Sequence, residues 1–198
     1  MNYLNCTRSF IQKILEKPLG FEWSVQGLGM MRLYVKRPDL RLHIWDSSLR
    51  VPSVSPLHTH PWNFSSTVIA GIMFNRRFLE FKTRIETTLK TDSFNRVEIT
   101  CGESACTHGD PGEVFLYEGE IEKYVQGSDY FQSFDEIHVS MPEDGTVTLV
   151  ERQLPPSNSP DKAFIFWRGK GDWVNAKPRQ ATDEEITGVT RRALTTWF

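Results

Sequence analysis

The chain has 198 residues, long enough to bury one sizeable core and short enough for a single domain with decorations. Its 23 basic and 25 acidic residues are mixed along the length to a net charge of −2, which removes the electrostatic case for nucleic acid or an anionic membrane as partner. No apolar run approaches the roughly 20 residues of a membrane span, Met1 to Ser9 lacks the apolar core of a signal peptide, and Cys6, Cys101 and Cys106 are odd in number and irregularly spaced. A cytoplasmic protein with reduced thiols is the expectation.

In chain order, Thr7 to Lys17 sets Phe10, Ile11, Ile14 and Leu15 on one helical stripe, with Thr7 as N-cap and Pro18 to Gly20 as the stop. From Phe21 the period is that of strands: Met31 to Val35, then Leu40 to Trp45, where Leu40, Leu42 and Ile44 alternate with Arg41, His43 and Trp45 and so give a strand with two unlike faces. Thr67 to Phe74 is an apolar run continuing to Phe81, with Gly71 marking a bend or a close approach. Residues 82–112 turn polar and read as an insertion or hairpin extending the barrel, with strand-like pieces at Ile85 to Leu89 and Arg96 to Thr100 and a loop at Gly102 to Gly112.

Short strands follow at Glu113 to Tyr117, Ile121 to Val125, Tyr130 to Phe134, Ile137 to Met141, Thr146 to Arg152 and Ala163 to Trp167. Leu154 to Asp161 is a loop. Thr182-Asp183-Glu184-Glu185 opens a C-terminal helix whose buried stripe is Ile186, Val189, Ala193, Leu194 and Trp197. The pattern predicts one all-β domain over residues 1–198: a small antiparallel β-barrel or jelly roll over 21–168, with flanking helices in 1–20 and 182–198.

The chemistry concentrates in Pro56-Leu57-His58-Thr59-His60-Pro61-Trp62-Asn63-Phe64. Side chains at i and i+2 of a strand share a face, so His58 and His60 can grip one ion, and His138, before another β-rich run, stands where a third imidazole would complete the set. A His-x-His on its own is also compatible with an ordinary polar strand. Cys101, Cys106 and His108 offer two thiols and an imidazole, but not at the spacing of a common zinc motif.

His58, His60, Gly71 and His138, in that order, resemble the cupin superfamily over about Leu57 to Arg152. Where that family usually carries a metal-binding glutamate, this chain has Phe64 or Ser65; the glycine usual before the first histidine is absent, and the span from His60 to His138 is longer than usual. A set of histidines without the carboxylate is similar to the thiol dioxygenase branch, the cysteine and cysteamine dioxygenases. Pro56 to Pro61 looks like the entry to the metal site of the cysteamine type, and Ile137-His138 with Leu154-Pro155-Pro156 like its second half.

The resemblance implies one divalent ion held by His58, His60 and His138, with Fe(II) preferred and Zn, Mn or Ni as alternatives, and a small-molecule substrate met by dioxygen in the barrel mouth. Tyr130 or Tyr117 is then a candidate hydroxyl donor, Arg77 or Arg152 a candidate holder of a substrate carboxylate, and Glu136 an extra ligand or, as the favoured role, an anchor near His138. Trp62 and Phe64 are candidate walls of the site, while His43 reads as a satisfied, partly buried histidine. The rival expectations are a non-redox isomerase of a sugar-type substrate and a non-catalytic binding cupin, and a homodimer through an open sheet edge fits all three.

Overall fold

A computed structural model describes residues 3–35, 39–51, 54–85, 90–101, 106–109, 112–153, 162–169 and 178–197, without the side chains of 3–6, 100, 101 and 106–108. Helix α1 (Tyr3–Glu16) leads into strands β1 (Ser24–Gln26), β2 (Leu28–Tyr34), β3 (Leu40–Arg50), β4 (Leu57–His58), β5 (Asn63–Ala70), β6 (Ile72–Phe81) and β7 (Thr91–Cys101). Then come β8 (Cys106–His108), β9 (Gly112–Val125), β10 (Asp129–Gln132), β11 (Ile137–Pro142), β12 (Val147–Gln153), β13 (Ala163–Trp167), β14 (Arg179–Gln180) and helix α2 (Asp183–Thr195). The protein is mostly β, with helices at both ends of the chain.

One sheet runs β10-β5-β12-β3-β2-β1-β14 and the other β13-β4-β11-β6-β9-β7-β8. In the second, β13 pairs with β7 as well as β4, so β13, β4, β11, β6, β9 and β7 close into an antiparallel ring. The stretch expected as an insertion therefore supplies a stave: β7 pairs with β9 on one side and β13 on the other, and only the β7–β8 hairpin extends beyond the ring. Of the expected strand at Ile85 to Leu89, residues 86–89 lie outside the described residues and Ile85 is not in a strand. The expected loop at 154–161 also lies outside them, as do residues 102–105, 110 and 111 of the loop expected over 102–112, but Cys106–His108 of that loop form strand β8, paired with the end of β7.

The alternation in β3 decides how the layers stack. Leu42 and Ile44 pack with Met31 and Leu33 of β2, Val147 of β12, Ile11, Ile14 and Leu15 of α1, and Ile186, Val189 and Ala193 of α2. Both helices thus cover one face of the first sheet, and each fully buried Leu or Ile there contributes about 1.5–3 kcal/mol. Helix α1 begins before the expected cap at Thr7, and Phe10 stays 41% exposed although it adjoins the buried stripe. Helix α2 begins as its sequence dictates: Glu185 N–H donates to Thr182 Oγ1 at 3.2 Å and Thr182 N–H to Glu185 Oε2 at 2.9 Å.

The opposite face of β3, carrying Arg41, His43 and Trp45, turns toward the second sheet. The chain passes from one sheet to the other at Gly71, between β5 and β6, with a φ of 80°. A Cβ there would lie 2.8 Å from Thr146 Cα, so the close approach read from the glycine is a backbone contact.

Candidate metal centre

Strand β4 is only two residues long, yet it carries His58 directly opposite His138 of β11. His60 lies just past the strand, where its backbone N–H donates to Phe134 O at 3.2 Å and that of Thr59 to Phe164 O at 2.9 Å. These bonds keep the chain extended and bring all three imidazoles together. The ring centroids of His58 lie 4.7 Å from His60 and 4.8 Å from His138, and one ring nitrogen from each of the three falls within 4.8 Å of the others. His60 Nε2 and His138 Nε2 stand 3.1 Å apart. That is the separation two ligands at right angles make around one ion with bonds of about 2.1 Å.

In His58 and His138 the other ring nitrogen is committed. Nδ1–H of His58 donates to Pro56 O at 2.8 Å, and Nδ1–H of His138 donates to Asn75 Oδ1 at 3.0 Å. His58 and His138 therefore offer their Nε2 lone pairs to the centre, the tautomer that metal ligation requires. Burial, then the neighbouring histidines, pushes the pKa of His60 well below the ordinary value; burial, then His58 and Arg77, does the same to His138, and burial lowers His58. Neutral imidazoles at neutral pH follow, and the three residues form a donor set that could hold a metal ion.

Behind His138 runs a chain of buried amides. Asn75 Nδ2 donates to Gln132 Oε1 at 3.2 Å, and Gln132 Nε2 donates to Glu136 Oε2 at 3.1 Å; Asn75 and Gln132 are fully buried. Glu136 also accepts from Ser133 N–H at 2.9 Å and meets Arg77 Nε at 3.2 Å. The histidine is thus anchored through two strands to an ion pair at the surface.

The centre opens into a cavity of about 350 Å³ between the sheets. Trp62, Phe64 and Tyr130 line it with the histidines: His60 lies 4.8 Å from the Trp62 ring and edge-on to Phe64 at 5.0 Å. Phe64 is buried, so an aromatic edge stands beside His60 at one of the two positions where a carboxylate was expected from the resemblance. Tyr130 is stacked on Tyr124 at 4.6 Å, and burial pushes its pKa up to about 12, so its hydroxyl stays protonated.

Arg77, Glu136, Arg152 and Tyr117 do not line this cavity. Arg77 is ion-paired with Glu122 and Glu136 and donates to Phe131 O at 3.1 Å. Glu136 lines a separate hollow with Phe78 and Lys162 and reaches the centre only through Gln132 and Asn75. Arg152 lies over Trp62, with Cζ 5.0 Å from the ring centroid. Cys101 and Cys106 face each other across the β7–β8 hairpin and His108 lies opposite Ile99, but their side chains lie outside the described residues.

Sequence reasoning passed over Asn75, Gln132 and Arg41. Asn75 had one signal, a polar residue two positions after the buried Met73 on the same face of β6. Arg41 and His43 line the cavity, and His43, expected to be satisfied, has no hydrogen-bond partner at Nε2 among the described residues. Burial, then Arg41 and Arg32, lowers its pKa well below the ordinary value. Among the described residues no helix is long and apolar enough to cross a membrane. No protein-family model matches the chain, and a search of curated proteins finds no match.

Proposed function

We propose that the protein is a metal-dependent cupin that acts on a small molecule in the cavity between its sheets, as a non-haem Fe(II) dioxygenase with His58, His60 and His138 as ligands. The observation that carries the reading is the convergence of three neutral imidazoles, two with Nδ1 fixed by an acceptor, on one wall of a largely apolar cavity. Held by His58, His60 and His138, Fe(II) would supply open coordination for substrate and dioxygen, and its undiminished charge would favour an anionic donor.

This chain's residues supply the rest. Asn75 and Pro56 O hold the ring orientations, and Trp62 and Phe64 exclude water from the histidines. Tyr130 keeps its proton at Oη at neutral pH and so serves as a donor rather than a base. The closed ring and two-sheet packing accord with the resemblance to cupins, and the buried Phe64 beside His60 accords with its three-histidine branch.

The test is metal analysis of protein purified anaerobically without chelator, beside His58→Ala and His138→Ala. Near-stoichiometric iron in the wild type, lost in both variants, is the expected result, followed by dioxygen uptake on addition of a substrate. Absence of any metal above background overturns the enzyme. Stoichiometric zinc with no dioxygen uptake overturns the redox part and leaves a non-redox metal enzyme.

A further inference from the structure

Arg41 and Trp62, which line the cavity, belong to a run in which cations and aromatic rings alternate. Arg32 Cζ lies 5.0 Å from the Tyr34 ring, Arg41 Cζ lies 5.2 Å from Tyr34 and 4.9 Å from Trp62, and Arg152 Cζ lies 5.0 Å from the other partner of that stack, Trp62. Trp62 in turn contacts His60. The β-ladder builds this order: Tyr34 of β2 stands opposite Arg41 of β3, and Arg32 opposite His43.

Arg41 is 8% exposed and lines the cavity, yet its Nε has no hydrogen-bond partner among the described residues. Burial pushes its pKa down to about 10, Tyr34 pulls it up, and Arg32 and Arg152 push it further down. It still carries its charge at neutral pH. Among the described residues no carboxylate forms an ion pair with Arg32, Arg41 or Arg152. Adjacent guanidiniums repel one another, and a buried one without a counter-charge is costly. Stacking on aromatic faces offsets part of that cost; Arg32 Nε donates to Ser24 Oγ at 3.3 Å, whereas the Nε edge of Arg41, which matches an oxyanion, is uncommitted among the described residues.

We propose that the Arg32–Arg41–Arg152 cluster is an anion-binding subsite and that the substrate is an organic acid. Its oxyanion meets the edge of Arg41, flanked by Arg32 and Arg152, while its apolar body lies against Trp45, Trp62 and Phe64 toward the three histidines. Placing a substrate here rests on the metal-site reading above; binding of the anion does not require the ion. A carboxylate and a phosphate ester share the recognising chemistry.

The test is calorimetric titration of the full, chelator-treated chain with benzoate, phenyl phosphate and neutral benzyl alcohol in a buffer free of both anions. At least one anion is expected to bind saturably and about tenfold or more tighter than the alcohol, with that advantage lost in Arg41→Gln and Arg152→Gln and partly restored in Arg41→Lys. Preference for benzoate assigns a carboxylate, and preference for phenyl phosphate assigns a phosphate ester. If Arg41→Gln fails to fold by circular dichroism, the half-buried Arg152→Gln decides. Equal binding of the alcohol, binding of neither anion, or full retention in the folded variants overturns the subsite. Anion binding by a chain that takes up no metal keeps the subsite and sinks the metal reading, and metal uptake without anion binding does the reverse.

Discussion

Asn75 decides which nitrogen His138 offers. Its Oδ1 accepts from Nδ1–H, and its own amide is turned that way because Nδ2 donates to Gln132. Asn75→Leu removes the acceptor, frees the imidazole to rotate or exchange tautomer, and strands the buried oxygen of Gln132. Metal affinity is expected to fall about 10–100-fold, while Asn75→Asp, which keeps an acceptor oxygen, loses less. Competition against a chelating indicator measures both; an Asn75→Leu protein that folds and binds as tightly as the wild type would show that the amide chain plays no part in ligation. The histidines were legible because two candidate ligands lie in one tripeptide. Asn75 and Gln132 were not, since they lie on β6 and β10, on different sheets, and only tertiary packing brings them behind His138.

At the scale of elements, period told more than composition. The alternation of Leu40, Leu42 and Ile44 with Arg41, His43 and Trp45 declared two faces but not which one looked inward. Both do: helices α1 and α2 cover the aliphatic face, so the Arg-His-Trp face becomes the wall of the cavity. Covering helices are also why β3 is buried from Arg41 to Asp46 without a break. Gly71 was readable as a special point, and its consequence is energetic. Gly71→Ala must hold a side chain at a φ of 80° and press it against Thr146 Cα at 2.8 Å. Strain and overpacking together are expected to cost about 2–4 kcal/mol, lowering Tm by roughly 5–15 °C for a chain of this size. Gly20→Ala, with nothing within 4 Å of the added carbon, is the control and is expected to be neutral. Equal melting temperatures for the two variants would refute the corner as a point of close backbone approach.

For the whole molecule, an all-β chain with a helix at each end was legible from strand periods and the Thr182 box, whereas closure of the ring was not. Pairing of β13 with β7 joins Ala163 to Ile99 across a long stretch of chain, and no local pattern announces it. The fold nevertheless carries a global signature of the face that lines the cavity, because His43, His60 and His138 are all held with pKa values well below the ordinary one, chiefly by burial. Folded, they stay neutral; unfolded, each takes up a proton near pH 6.5. A depressed folded pKa means that the stability contribution is complete above that unfolded value and is lost as pH falls below it. The loss at pH 5.5 is at most about 1.4 kcal/mol for each histidine, to be set against the roughly 5–15 kcal/mol that holds a domain together. Denaturant titrations of metal-free protein at pH 7.5 and 5.5 should show that drop, well above the pH at which carboxylates titrate. His43→Gln, outside the candidate ligand set, should recover part of it. An unfolding free energy unchanged between the two pH values would mean that these imidazoles reach water in the folded protein, and the dry, neutral ligand set on which metal capture depends would fall with it.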